Sequence, residues 1–460
     1  MSANAGSGEM RMNHKASPPL AESRLSQPLP GARLALILLL SINLFNYIDR
    51  QVLAAVEPAI EKEFFPHSSS TDENTTTDKF VKAKMGALQT AFMVSYMLLA
   101  PLFGWLADRM SRWLLIGVGV ILWSLASAAS GFEWHADLSV AFGLLLLTRC
   151  FVGIGEAAYG PAAPTIISDL YPVRVRGQVM AWFYAAIPVG SALGYVLGGL
   201  VEHLTGNWRY AFYAVLPPGI LLGIWCFLMP EPQRGQADIE GKPTKERARL
   251  KDIAVLWRTP SYVLVTLGMT AMTFALGGLA FWIPSYLYDT KGAEELKDIN
   301  LRFGAIVVVS GLAATLLGGI LGDKLRARFP GSYFLVSGSS MMIGFPVILL
   351  VLWTPYPWYW LFVFIACFCL FFNTGPTNTI LANVTHPSVR ASAFAINILV
   401  IHALGDAISP TVIGFIAGFS SMNVGFVFVS LAVLVGGLFW LWGARYLARD
   451  TELAPTRLSV

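Results

Sequence analysis

The chain has 460 residues, of which 55% are hydrophobic and 13% charged, with a formal net charge of +4 and a mean hydropathy of +0.60. Soluble domains carry about 25% charged residues, so this composition argues against a soluble fold and indicates that a bilayer surrounds most of the chain. The Lys and Arg residues stand between long apolar runs rather than on one polar face, which argues against a nucleic-acid-binding surface.

A helix needs about 20 mostly apolar residues to cross a bilayer, and the sequence has twelve such runs, which we number spans 1 to 12. The first six begin near residues 34, 85, 113, 138, 178 and 211, and the second six near 261, 301, 332, 357, 391 and 423. The sequence therefore predicts an all-α integral membrane protein with two six-helix halves.

Polar segments divide the chain further. The predicted parts are an N-terminal arm (1–33), a first half (34–229), a linker (230–260), a second half (261–447) and a tail (448–460). Roughly two thirds of the Lys and Arg residues lie on the linker's side of this topology, which the positive-inside rule assigns to the cytoplasm. We expect both termini to be cytoplasmic and the protein to be multi-pass in a bacterial plasma (inner) membrane. The arm lacks the apolar core of a cleaved signal peptide.

The two halves repeat each other. The segment GWLADR (104–109) after span 2 is echoed by GILGDK (319–324) after span 8, and the segment 172–176 before span 5 is echoed by 387–390 before span 11. Because each half has six spans, both copies have the same orientation. We therefore expect a pseudo-two-fold relation about the membrane normal, with a central cavity between the halves.

The loop between spans 2 and 3, GWLADRMSR (104–112), is similar to the hallmark loop of the major facilitator superfamily, although Ser111 stands where glycine is usual. The resemblance implies a transporter rather than an enzyme, in which this loop latches the cytoplasmic side of the outward-facing state. Asp108 suits the N-terminus of a neighbouring helix, and we expect Asp169 to pair with Arg109 or Arg112. An anchor with no gating role is the alternative. The assigned cytoplasmic gate is Gly104, Asp108, Arg109, Arg112, Asp169 and Asp323.

A narrower resemblance rests on NYIDR (46–50) in span 1 and on RCFVGIGEAAYGPAAPTIISDL (149–170) in span 4. Both segments resemble the Spinster branch of that superfamily. The resemblance implies proton-coupled transport, by alternating access, of single-chain lipids such as lysophospholipids or sphingoid phosphates.

Four ionisable residues lie inside spans 1 and 4, where each costs about 2.5–3.5 kcal/mol on insertion scales and so requires a partner or a watery cavity. Arg149 and Glu156 are seven residues apart and share one helix face, whereas Asp49 and Arg50 point about 100° apart. We predict that Glu156 and Asp49 exchange the coupling proton. Arg50 and Arg149 would pair with them or bind an anionic headgroup. A permanent salt bridge that only fixes helix packing is the alternative.

Span 11 carries His402 and Asp406, four residues apart, which would form a His-carboxylate relay or a headgroup lid. An ordinary helix-interface hydrogen bond is the alternative. Aromatic residues near the end of span 7, among them Tyr286 and Tyr288, would form either an apolar wall or an interfacial belt. The assigned substrate-binding residues are Arg50, Arg149, Asn46, Tyr47, Tyr159, His402, Asp406 and Asn373.

The sequence has no phosphate-cradling loop and no HExxH or GxSxG motif, which disfavours an ATP-driven pump and an intramembrane enzyme. Its four cysteines lack zinc-ligand spacing. We expect no metal site, no cofactor besides a proton gradient and no nucleic-acid partner. We expect a monomer whose partners are a small-molecule or lipid substrate, protons and membrane lipid. The alternatives are a proton-coupled transporter of a small organic anion or drug, and a non-transporting sensor on the same fold.

Overall fold

The computed structural model describes residues 28–65, 76–133, 137–238, 250–287 and 296–458. Most of the N-terminal arm, the middle of the linker and Tyr288 lie outside these ranges. The described helices include twelve that are long and apolar enough to cross a membrane, which confirms the predicted number of spans.

Spans 1 to 6 are Ala32–Phe64, Thr76–Ala107, Arg112–Ser130, Leu138–Tyr159 with Ala163–Leu170, Arg176–Thr205 and Arg209–Phe227. Spans 7 to 12 are Pro260–Tyr286, Leu296–Arg326, Ser332–Trp353, Tyr359–Phe371 with Thr374–Val384, Arg390–Ile401 with Ser409–Phe419, and Met422–Gly443. The chain beyond span 12 continues as the short helix Leu447–Leu453, whose Asp450 accepts the Ser261 backbone N–H at the start of span 7.

Local chemistry sets several helix ends. Ser111 and Ser421 are N-caps whose hydroxyls accept backbone N–H groups of spans 3 and 12. Gly206 ends span 5 with φ 65°, a left-handed conformation that glycine adopts without steric cost. In span 11 a π-helical segment, His402–Asp406, interrupts the α-helix, and Gly405 within it has non-helical dihedral angles.

The helices present apolar side chains both to one another and outward. Leu98, Val196 and Leu221 are 60%, 63% and 67% exposed, as expected where lipid replaces water around the protein. Between spans 3 and 4 the backbones touch, because a Cβ on Gly155 would lie 2.7 Å from the Gly119 carbonyl oxygen. Small residues let these two helices approach closely.

The halves meet on the membrane side that carries the linker, which we call the linker face; the other side is the opposite face. There span 2 packs against span 11, and span 5 against span 8. A Cβ on Gly104 would lie 2.4 Å from the Ala395 Cβ, and one on Gly319 would lie 2.4 Å from the Ala181 Cβ. The duplicated glycines therefore occupy equivalent helix crossings, span 2 with span 11 and span 5 with span 8. Close contact at these two crossings closes the linker face.

The crossing of spans 3 and 4 can be tested by adding a side chain to it. Gly155→Val has no space for its methyl groups, and overpacking of this kind costs about 1–3 kcal/mol. We expect a lower thermal unfolding midpoint in detergent. Gly143→Val is the matched control on the same span, because a Cβ there meets no atom within 4 Å. Equal midpoints for the two variants would contradict the crossing.

Candidate functional site

A cavity of about 210 Å³ lies between the halves, bounded by spans 1, 2, 4 and 5 on one side and by spans 7, 10 and 11 on the other. Its polar lining consists of Asn43, Asn46, Tyr47, Arg50, Tyr96, Glu156, Tyr159, Tyr184, Thr273, Thr374, Thr377, Asn378, Asn397 and His402. The charged groups Arg50 and Glu156 come from the first half, so the polarity of the cavity is uneven.

Arg50 and Glu156 form an ion pair in the wall of this cavity. The Nε and Nη2 atoms of Arg50 lie 2.7 and 2.5 Å from Oε2 of Glu156. The Arg50 side chain is 15% exposed and that of Glu156 1%, so the guanidinium faces the cavity and the carboxylate lies behind it. Rings of Tyr47, Phe92 and Tyr96 stand 4.9, 4.9 and 5.2 Å from the guanidinium. Aromatic faces stabilise a desolvated cation, and here they also hold it in place.

Asp49 and Arg149 lie behind this pair, away from the cavity. The Oδ1 atom of Asp49 accepts a hydrogen bond from Ser127 of span 3, so Asp49 and Arg50 do point to different neighbours. Arg149 is fully buried, and its three guanidinium nitrogens make no hydrogen bond to the described part of the chain. Glu156 therefore pairs with Arg50 from the other helix, although Arg149 shares its own helix face.

The structure separates the residues that we assigned to proton coupling and substrate binding. Glu156, Asn46, Tyr47, Arg50, Tyr159 and His402 line the cavity, whereas Asp49, Arg149, Asp406 and Asn373 do not. Asn373 lies at the break in span 10, where its amide donates to the Leu370 carbonyl 2.7 Å away and faces the Met341 sulfur. The break turns this side chain toward span 9 and away from the cavity.

His402 and Asp406 lie within the π-helical segment. The His402 Nδ1 atom is 3.0 and 3.1 Å from the two carboxylate oxygens of Asp406. The imidazole also meets the edge of Tyr96, with ring centroids 5.9 Å apart. His402 thus touches span 2 of the other half, and it reaches the aromatic group around Arg50.

On the linker face the two duplicated aspartates each cap a helix of the other half. Asp108 accepts the backbone N–H groups of Ala391 and Ser392 at 2.9 and 2.8 Å, at the start of span 11. Asp323 accepts the Gln178 N–H at 2.7 Å, at the start of span 5. Burial raises the pKa of Asp108 to about 6, and the hydrogen bonds from Ser392 and Ala391 act in the opposite direction.

Six charged side chains of alternating sign connect the halves beside these caps. In order they are Glu231, Arg112, Asp169, Arg390, Asp238 and Arg176, joined by contacts of 2.7, 2.5, 2.9, 2.9 and 2.9 Å. We call them the charge chain. Burial alone would raise the pKa of Asp238, but Arg390 and Arg176 outweigh it and hold that pKa below its ordinary value.

Of the two expected partners of Asp169, Arg112 makes the contact. The Arg109 guanidinium donates to the Trp105 carbonyl and lies over the Trp105 ring, 4.2 Å from the ring centroid. The sequence analysis assigned no gate role to Arg176 and Arg390, although these residues end the two repeated segments before spans 5 and 11. For Glu231 and Asp238 of the linker, and for Tyr96 in an apolar span, the sequence carries no comparable signal.

Comparison with known proteins agrees with this architecture. Residues 39–410 match the Major Facilitator Superfamily. Protein spinster homolog 3 of Danio rerio is 34% identical, with 97% of this chain and 92% of that protein covered. Protein spinster of Drosophila melanogaster is 36% identical, with 86% and 63% covered.

Solved structures share the fold. A bacterial homolog of the human lysosomal transporter Spinster, in an inward-facing and occupied conformation, is 23% identical with a TM-score of 0.59, covering 92% of this chain and 99% of its own. The proton:xylose symporter XylE is 15% identical with a TM-score of 0.71, covering 89% and 95%. The chain is a transporter rather than an enzyme, and it belongs to the major facilitator superfamily and, within it, to the Spinster group.

Proposed function

We propose that this chain is a proton-coupled secondary transporter that moves an anionic, single-chain lipid by alternating access between its two halves. The observation that carries the proposal is the placement of one guanidinium, Arg50, at the edge of the cavity, with the carboxylate of Glu156 behind it. An anionic headgroup competes with Glu156 for Arg50, and protonation of Glu156 releases Arg50 to that headgroup. Substrate binding and proton binding would thus both act on the Arg50 guanidinium.

The second half supplies an apolar counterpart to this charged centre. A cavity of about 100 Å³ within that half is lined almost entirely by hydrocarbon, including Leu276 of span 7 and Phe371 of span 10. Met272 and Thr374, one helical turn away on the same two spans, line the central cavity. We assign the acyl chain to this apolar cavity and the headgroup to Arg50. Tyr286 belongs to its wall.

A small organic anion is the second candidate substrate. The central cavity, at about 210 Å³, is smaller than the roughly 300–1,000 Å³ typical of drug-sized ligands, and amides of Asn46, Asn378 and Asn397 surround it. A lipid requires the apolar cavity as well, whereas a small anion does not. A non-transporting sensor would need neither proton exchange nor access from both faces.

In the membrane we place the linker face and both termini in the cytoplasm of a bacterium. The orientation in this proposal follows from the excess of Lys and Arg on that side. We propose further that the protein acts as a monomer, with all transport groups supplied by one chain, and that the proton gradient takes the place of any cofactor.

Flux into proteoliposomes tests the substrate and the driving force together. We expect a lysophospholipid or a sphingoid phosphate to be accumulated by up to about tenfold for each pH unit of gradient if one proton accompanies each molecule. A small organic anion is assayed in parallel. Uptake of the anion alone would favour the second candidate, and lipid flux that ignores the gradient would contradict proton coupling.

Removal of the titrating group tests the shared-cation mechanism. Glu156→Gln keeps the side-chain size but cannot exchange a proton, so we expect gradient-driven uptake to be lost while substrate exchange at equal pH persists. Glu202→Gln, at the far end of span 5, is the control. Wild-type pH dependence in Glu156→Gln would remove this carboxylate from the mechanism.

The cap at Asp108 provides a test of the cytoplasmic gate. Asp108→Asn removes the negative charge that accepts two backbone N–H groups. Hydrogen bonds to charged groups contribute about 1.5–3 kcal/mol. We therefore expect the ratio of closed to open states to fall by roughly tenfold or more. Spin labels at Leu228 and Ala327, on opposite halves, would report opening of the linker face as a shift toward longer label-to-label distances. Glu452→Gln, an exposed acid on the same face, is the control. An unchanged distance distribution would exclude the gate.

A further inference from the structure

A second polar cavity opens in the first half, on the opposite face. Its volume is about 500 Å³, and its lining comes from spans 1, 3, 4 and 6 and the loop after span 3. No described residue of the second half lines it, and it shares no lining residue with the cavity between the halves. Its carboxylates are Glu63, Glu133 and Asp137, and Arg209 is paired with Glu63 at 2.5 Å. The described residues of the mouth therefore carry excess negative charge, which concentrates cations, including hydronium, from solution.

Buried hydroxyl groups lead inward from the floor of this cavity. Ser130 lines the floor, and its Oγ atom lies 2.8 Å from Oγ1 of Thr148 in span 4. One turn deeper on the same face of span 3, Ser127 donates to the Asp49 carboxylate. Ser124, a further three residues along, lines a void of about 10 Å³ beside Asp49, close to the size of a single water molecule.

Unpaired polar atoms continue this line toward the central cavity. Three nitrogens of Arg149, Oδ2 of Asp49 and Oε1 of Glu156 make no hydrogen bond to the described residues. A fully buried guanidinium in a membrane span needs acceptors, and no described protein group supplies them. Water among these groups would satisfy all three side chains, because each has donors or acceptors to spare.

We infer that protons reach Asp49 from the opposite face through the first half, along Ser130, Thr148 and Ser127, and not through the substrate cavity. The inference rests on the proposed proton coupling. Ser130 and Thr148 turn their hydroxyl protons into the path from the Ala126 and Leu145 carbonyls, and water links Thr148 to Ser127. Each hydroxyl or water then accepts a proton from its outer neighbour and passes its own inward, so Asp49 gains one proton and the path returns to its first state after reorientation. Water beside Arg149 then connects Asp49 to Glu156.

The groups around Asp49 suit such a role. From span 4 it faces Arg149 and Glu156, from its own span Arg50, and from span 3 Ser127. Spans 5 and 6 also pack on span 1, and they approach it with residues such as Gly194 and Val215. A proton on Asp49 therefore changes the field at the Arg50–Glu156 pair without entering the substrate cavity, which allows protonation while substrate occupies that cavity.

Thr148→Val removes one hydroxyl of the path at nearly constant volume and without touching Asp49. We expect it to slow the protonation of the Asp49 carboxyl after a pH jump by about a hundredfold, while the equilibrium titration stays unchanged. Infrared absorption follows the carboxyl, and Asp49→Asn identifies its band. Gradient-driven flux should fall, and substrate exchange at equal pH should not. Thr148→Ser should restore the rate. Ser95→Ala is the control, because the Ser95 hydroxyl donates to the Ala91 and Phe92 carbonyls of its own helix.

The outcomes separate this inference from the proposed function. If wild-type flux ignores the pH gradient, proton coupling fails. If wild-type flux follows the gradient and Thr148→Val protonates Asp49 at the wild-type rate, coupling stands and the path is wrong. Equal loss of gradient-driven flux and of exchange in Thr148→Val, without rescue by Thr148→Ser, would assign this hydroxyl to packing and would also overturn the path.

Discussion

The carboxylate of Asp169 receives Arg112 from its own half and Arg390 from the other half, and both contacts are buried. A buried charge without a partner is strongly destabilising, so the two halves cannot part at the linker face unless water or new partners replace these contacts. The helix caps made by Asp108 and Asp323 obey the same constraint, because each carboxylate is satisfied by backbone N–H groups across the boundary. Any separation of the halves at this face would therefore expose both the charge chain and the two caps.

The halves share this scaffold but differ at their centres. Spans 1 and 4 bring Asp49, Arg50, Arg149 and Glu156 into one cluster. The second half offers His402 and Asp406 within a distorted helix, and an apolar cavity lined by other residues. A duplicated fold conserves the contacts that both copies need for closing. It leaves each centre free to differ, because the central side chains line the cavity between the halves.

Two helices join the centre to the linker face. Span 2 carries Tyr96, which packs against Arg50 and His402, and it leads directly to Asp108. Span 11 begins where Asp108 caps it and extends to His402. A change in the Arg50–Glu156 pair therefore acts on a pair of helices whose other ends form the closed contact. This continuity gives the proposed coupling a physical route, and the linker takes part in it because Asp238 bridges Arg176 and Arg390.

The sequence by itself determined the twelve spans, the duplication and the superfamily, since hydropathy, helical period and loop motifs are local properties of the chain. It also identified the four charges of spans 1 and 4, because any ionisable group in an apolar run demands an explanation. Only the tertiary structure decided which charges pair. Glu156 meets Arg50 rather than Arg149, and Asn373 turns away from the cavity. Partner choice depends on the rotation and packing of helices far apart in sequence, and no local pattern records that geometry.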